Sequence, residues 1–246
     1  MQLANPFANA FGNALGKGAG LHAMRARTAA YARQIALDRC LRRLAGGDPD
    51  TLPAGLVTEL YAHWGDPLDE PGEGFLRSCL AELKLADGPV LQCGAGVLTL
   101  LLGAICGRDA KRHLWCFEQD PQWSNVMRSW LTQYEIANAH VITAPARMYP
   151  TFVWYAMDLN RVPKGLRLLL CEGSRATPRG AVGALEMLTD HLAPNCTVLA
   201  RRVTSKDDLA YLKDWAGRHG AALVMVDKRE GFIKLSRRAG GTHKPH

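Results

Sequence analysis

The spacing of apolar and polar positions changes character near residue 86. Upstream, residues 21–44 contain no Pro or Gly and repeat Ala, Leu and Arg at helical spacing. This predicts a long amphipathic helix, ended by Gly46-Gly47-Asp48-Pro49. Two shorter helical patterns, 53–63 and 74–85, flank a segment that contains Pro and Gly. Downstream, compact apolar runs at 89–93, 113–117, 139–143, 166–171 and 197–201 predict strands, and the stretches 97–106, 122–135, 180–192 and 206–219 predict helices between and after them. Such alternation implies a parallel sheet covered on both faces.

The last two runs, 222–226 and 232–235, are joined only by Asp227-Lys-Arg-Glu-Gly231. That link cannot hold a crossover helix, so these strands must pair antiparallel. The expected architecture is α/β, a seven-stranded and mostly parallel sheet with a C-terminal antiparallel hairpin, behind a helical N-terminal region. The expected divisions are a flexible tail over 1–20, a helical region over 21–86, the α/β domain over 87–238 and a flexible tail over 239–246.

Composition narrows the class without naming it. At 246 residues the chain can bury a full core, and 48% apolar with 22% charged residues is ordinary for a globular protein. The longest apolar run, 97–106, is about half of what a membrane span requires. Seven cysteines, at 40, 79, 93, 106, 116, 171 and 196, include no Cys-x-x-Cys pair, which points to buried, reduced thiols and a cytoplasmic location. The net charge of +7 draws on the arginines at 25, 27, 33, 39, 42 and 43 and can attract anionic partners, although a solvated helix face accounts for it equally well. A homodimer, if formed, would use the N-terminal helices.

Candidate chemistry gathers where the strands end, because ligands of open α/β sheets bind beyond the carboxyl ends of the strands at the point where strand order reverses. After the first strand stand Gly94, Ala95 and Gly96, where missing Cβ atoms let a ligand approach the backbone. Glu118 ends the second strand, about twenty residues past Gly96, the spacing at which an acid accepts hydrogen bonds from ribose hydroxyls. A dinucleotide fingerprint would place a third glycine at position 99, which is Thr99 here. With the terminal hairpin, this favours S-adenosylmethionine over a nicotinamide.

The chain resembles the class I S-adenosylmethionine-dependent methyltransferases, and more closely a bacterial group of small-molecule, O-methyltransferase-like proteins. The resemblance spans about residues 75–238 and rests on Val90-Leu-Gln-Cys-Gly-Ala-Gly-Val-Leu-Thr-Leu-Leu-Leu-Gly103, Phe117-Glu-Gln-Asp-Pro-Gln-Trp123, Trp154-Tyr155, Leu169-Leu-Cys-Glu-Gly-Ser174 and the terminal hairpin. It implies a Rossmann-like methyltransferase sheet with S-adenosylmethionine as cofactor. It also implies that Gly94 and Gly96 flank the methionine part, that Glu118 holds the ribose and that Gln119 lies beside the adenine. Glu172 stands where the family has an acid close to the transferable methyl group, and packing is the expected role of Trp123.

Three departures from the family pattern bear on activity. Gln92 replaces the usual Asp or Glu that contacts the cofactor ammonium or orders the glycine turn, and a neutral acceptor binds more weakly than a charged one. Arg201-Arg202 stands where metal-dependent relatives carry adjacent acids, so no magnesium is expected. The loop Thr143-Ala-Pro-Ala-Arg147 offers no acid to the adenine amino group.

The expected activity is O-methylation of a small molecule or glycan, with Glu172 as candidate base and Tyr155 as candidate positioning residue. Arg175, Arg179, Arg201, Arg202 and Lys206 fall at or near the ligand edge, and their convergence would select an anionic acceptor. His113 and His191 read as structural. Other readings are a methyltransferase fold with weakened catalysis serving in binding or assembly, and a nucleic-acid methyltransferase or binding protein. No Asn/Asp-Pro-Pro-aromatic motif of the base-modifying amino methyltransferases is present.

Overall fold

A computed structural model describes residues 32, 35–44, 54–64, 72–107, 111–172 and 177–237. Both expected tails and the first part of the predicted long helix lie outside these residues. The chain divides into two compact units, Met1–Gly65 and Asp66–His246.

In the first unit, α1 covers residues 35–44 and α2 covers Ala54–Trp64. Leu37, Cys40, Leu41 and Leu44 are buried on α1, at the spacing that aligns one helix face. Leu56, Val57, Leu60 and Trp64 are buried on α2. Arg43 joins the two helices through a 2.9 Å ion pair with Glu59. That pair is exposed and contributes little stability.

The second unit opens with α3 (Glu73–Leu85) and continues β1 (Val90–Cys93), α4 (Val97–Cys106), β2 (Leu114–Glu118), α5 (Pro121–Gln133), β3 (Ala139–Thr143), β4 (Ala146–Met148), β5 (Val153–Tyr155), β6 (Leu166–Cys171), α6 (Gly180–Leu188), β7 (Leu192–Ala200), α7 (Lys206–Arg218), β8 (Ala221–Asp227) and β9 (Phe232–Arg237). Seven strands form one sheet in the order β3-β2-β1-β6-β7-β9-β8. The pairs from β3 to β7 are parallel, while β9 runs antiparallel to both β7 and β8. This is a seven-stranded Rossmann-like arrangement.

Two helices start on a side-chain cap. Asp120 caps α5 by accepting from the backbone N–H groups of Gln122 and Trp123, and Pro121 supplies a first helical residue whose φ is already set. Ser205 caps α7 in the same way, accepting from Asp207 and Asp208. α4 is apolar almost throughout and buried along most of its length, so burial rather than amphipathic patterning holds it in place against β2 and β3.

Three details depart from the sequence reading. The pattern over 139–171 gave no hairpin, yet β4 and β5 pair antiparallel with Arg147 opposite Trp154. The helix predicted over 180–192 ends at Leu188 and passes through a 3₁₀ turn over Thr189–His191. β7 begins at Leu192 rather than 197, because Leu192 pairs with Leu166 ahead of a register shift, after which pairing resumes at Leu168 and Thr197. The histidines have partners that the sequence does not reveal. His113 Nδ1 lies 3.2 Å from His140 Nε2, and His191 lies 3.3 Å from Lys164 Nζ.

Candidate functional site

Strand order reverses between β1 and β6, whose last residues, Cys93 and Cys171, are register partners. The residues that follow, Gly94 and Glu172, therefore leave the sheet side by side. Gly94 adopts φ +100°, a conformation open to glycine, and a Cβ built there would meet nothing within 4 Å. The backbone is thus bare on the side from which a ligand would approach. Gly96 caps α4, and Thr99 closes that turn by accepting from the Gly96 N–H at 3.0 Å while its own N–H donates to the Gly96 carbonyl. The residue that takes the place of a third glycine thus fixes the turn by hydrogen bonding.

Glu118 binds the turn to the end of β2. Its side chain is only 4% exposed, and its carboxylate accepts from the N–H of Ala95 at 3.0 Å and of Asp120 at 2.9 Å. Burial pushes the carboxyl above the ordinary glutamate range, opposed by the backbone N–H groups of Asp120, Ala95 and Gln119. Each carboxylate oxygen has more than one lone pair, so these bonds leave acceptor capacity.

Trp123 carries more than the packing expected of it. It stands edge-to-face with Trp130, with ring centroids 6.0 Å apart, and its indole N–H donates to the Ala95 carbonyl at 2.8 Å. Ala95 is thus held on both sides, its N–H by Glu118 and its carbonyl by Trp123. Trp123→Phe keeps the ring and removes the donor. The expected result is an S-adenosylhomocysteine affinity about five- to tenfold weaker by calorimetry, as loss of one neutral hydrogen bond of about 1 kcal/mol gives.

Gln92 is fully buried in the central strand. Its amide nitrogen donates to the Gly94 carbonyl at 2.8 Å and to Glu172 Oε1 at 2.5 Å, while its Oε1 has no hydrogen-bond partner. Gln119 Oε1 is also buried and without a partner. Tyr155, 1% exposed, presents a third such atom, its hydroxyl. Burial, together with Cys93, Cys116, Glu118 and Glu172, holds that phenol well above its ordinary pKa, so it is a neutral donor. Buried polar atoms rarely go without partners, so these three are candidates to meet a ligand.

The basic residues expected to converge do not all face a ligand. Arg179, in a left-handed conformation ahead of α6, pairs with Asp208 at 2.6 Å and donates to the Thr151 carbonyl. Arg201 is buried and its Nε donates to the Glu172 carbonyl at 2.9 Å. Lys206 is exposed at the start of α7. Arg175 lies outside the described residues. Among the described residues no three His, Cys, Asp or Glu side chains gather as a metal-ligand set, and no helix is long and apolar enough to cross a membrane.

The seven-stranded order and the glycine turn define a class, the methyltransferase fold. Comparison with solved structures finds the same fold. An O-methyltransferase from Bacillus cereus in complex with SAH matches with a TM-score of 0.50 and 14% identity over 77% of this chain and 94% of that one. A methyltransferase from Geobacter sulfurreducens matches with a TM-score of 0.51 and 13% identity, again over 77% and 94%. A cofactor-bound protein from MTB matches with a TM-score of 0.50 and 16% identity over 96% of this chain and 98% of that one. No family model and no curated protein matches the sequence.

Proposed function

We propose that this chain is an S-adenosylmethionine-dependent methyltransferase that methylates an oxygen of a small, anionic or glycan acceptor without a metal. The observation that carries the reading is a glycine turn tied down by Glu118, with buried polar atoms that have no hydrogen-bond partner, Gln92 Oε1, Gln119 Oε1 and Tyr155 Oη, on residues in or beside β1, β2 and β5. Their chemistry suits the cofactor. The Gln92 oxygen can accept from an ammonium, Glu118 from ribose hydroxyls and Gln119 from an adenine amino group, while Gly94, Ala95 and Gly96 clear room for the methionine part. When bound, S-adenosylmethionine supplies a methyl group on a sulfonium, which leaves as a neutral thioether.

The chain's own contribution is alignment and proton transfer. Glu172 accepts the proton that the acceptor hydroxyl loses, and general-base help of this kind contributes roughly 10²–10⁴ in rate. Tyr155 donates to the acceptor oxygen or a neighbouring atom and fixes its direction of attack. Arg201 holds the Glu172 backbone, and the two adjacent arginines leave no carboxylate pair for a cation.

Tyr155→Phe tests the reading, because the hydroxyl has no partner within the protein. Thermal stability should be unchanged or slightly raised, whereas methyl transfer, measured as S-adenosylhomocysteine formed against a panel of phenols, carboxylated metabolites and acidic glycans, should fall at least tenfold. Loss of stability without loss of turnover would make Tyr155 a packing residue. If wild-type protein does not bind S-adenosylhomocysteine at all, the enzyme reading fails.

A further inference from the structure

We infer that Cys93 and Cys171 are a reversible dithiol–disulfide pair that couples oxidation by hydrogen peroxide to the shape of the glycine turn. The bond itself does not depend on the methyltransferase reading, whereas its effect on the cofactor does. The two residues end β1 and β6, the strands between which the order reverses, and they are register partners. Their side chains therefore leave the sheet on the same face, where they hydrogen-bond to one another. Partners on neighbouring strands lie about 4.7–4.9 Å apart, inside the window of about 4.4–6.8 Å between Cα atoms that a disulfide accepts. The backbone needs no large movement to close the bond.

The register also singles out this pair. Cys116 stands opposite Gln92, one residue before Cys93, so it faces the other side of the sheet, where its thiol donates to the Gly94 carbonyl at 3.4 Å. Among the described residues no other two cysteines are register partners. Cys93 is 8% exposed and Cys171 2%, which suits an oxidant as small as hydrogen peroxide. Cys93 is held well above the ordinary thiol range, first by its bond to Cys171 and then by burial, and thiolates are the reactive form. The pair thus answers sustained oxidation rather than a brief pulse.

In the first step one sulfur attacks a peroxide oxygen, the O–O bond breaks, and a sulfenic acid and one water form. The second sulfur then attacks the sulfenic sulfur, the S–O bond breaks, and a second water leaves with the remaining thiol proton. Two thiols are oxidised and one peroxide is reduced, with no other reactant. Closure draws the sulfurs from hydrogen-bond contact to about 2.05 Å. Gly94 and Glu172 directly follow the two cysteines, so the turn shifts with them.

The test treats the full wild-type chain with hydrogen peroxide at pH 8, blocks the remaining thiols and maps linked peptides by mass spectrometry. The expected product is a Cys93–Cys171 link that dithiothreitol removes, with altered amide hydrogen exchange across residues 94–99. S-adenosylhomocysteine should bind the oxidised chain about fivefold or more weakly than the reduced one. Cys171→Ala should abolish both the link and the effect of peroxide on affinity. Links that join only other cysteines, over-oxidation of Cys93 without a link, or a link that leaves affinity unchanged overturns the inference. If the reduced wild type binds no S-adenosylhomocysteine, the methyltransferase reading fails by itself. The pair is then judged on the wild-type chain alone, supported by the link together with altered exchange over the turn and refuted without both.

Discussion

Glu118→Ala is expected to reduce S-adenosylhomocysteine affinity by two orders of magnitude or more, measured by titration calorimetry on the full chain. The loss has two parts. The proposed ribose acceptor disappears, and the N–H groups of Ala95 and Asp120 lose the carboxylate that fixes the glycine turn. Hydrogen bonds to charged groups contribute about 1.5–3 kcal/mol each, so losing two gives a factor of roughly 100 to 10⁴. The same carboxylate sets the sign of a pH effect. Its folded-state pKa is raised by burial, so ligand-free protein loses some stability as pH rises through that value. Affinity should run the other way, falling as pH drops and the carboxylate becomes protonated. Undiminished binding by Glu118→Ala, or affinity that rises under acid, would remove Glu118 from the site.

Gly231→Ala is expected to have the largest effect on stability. Gly231 sits at φ +59° in the turn between β8 and β9, and an added Cβ would lie 2.7–2.8 Å from backbone atoms of Val203. Backbone cannot step aside as the end of a flexible side chain can. A left-handed residue costs about 1–2 kcal/mol and overpacking about 1–3 kcal/mol, so the variant should be less stable by roughly 2–5 kcal/mol. For a chain of this size, that is a fall in Tm of about 4–20 °C. The damage should spread to the site. Val203 N–H donates to the Gly231 carbonyl and Arg202 N–H to that of Glu230, and these bonds place the segment from which Arg201 holds Glu172. A Tm within about 2 °C of wild type would show that this turn yields more easily than its contacts imply.

The sheet was legible because its central strands are buried on both faces and read as continuous apolar runs, as β1 and β6 do. The β4–β5 hairpin was not. Its first strand is three exposed residues, Ala146, Arg147 and Met148, with no alternation to mark it, and its place is set by contacts distant in sequence, where Phe152 and Trp154 press close to Gly183 of α6. Glu118 was singled out from its distance to Gly96, and the structure places it against the glycine turn, since chain spacing and geometry coincide within one βαβ unit. The hold of Trp123 on Ala95 was not, because a tryptophan on an amphipathic helix looks the same whether or not its N–H is used. Arg179 appeared to face the ligand because sequence locates a residue on a loop without revealing its partner, here Asp208, contributed by α7.

The bond between Gln92 and Glu172 joins residues 80 positions apart. A growing or refolding chain can complete β1, α4 and β2 from nearby residues, but it cannot close this contact until β6 has passed β2 and β3 and docked on the far side of β1. Contacts that span long loops form slowly, because loop-closure entropy is lost before the contact rewards it. Competence to bind ligand should therefore appear late in folding, after most of the helix content, and S-adenosylhomocysteine should act on this chain as a clamp on the finished sheet rather than as a nucleus for it.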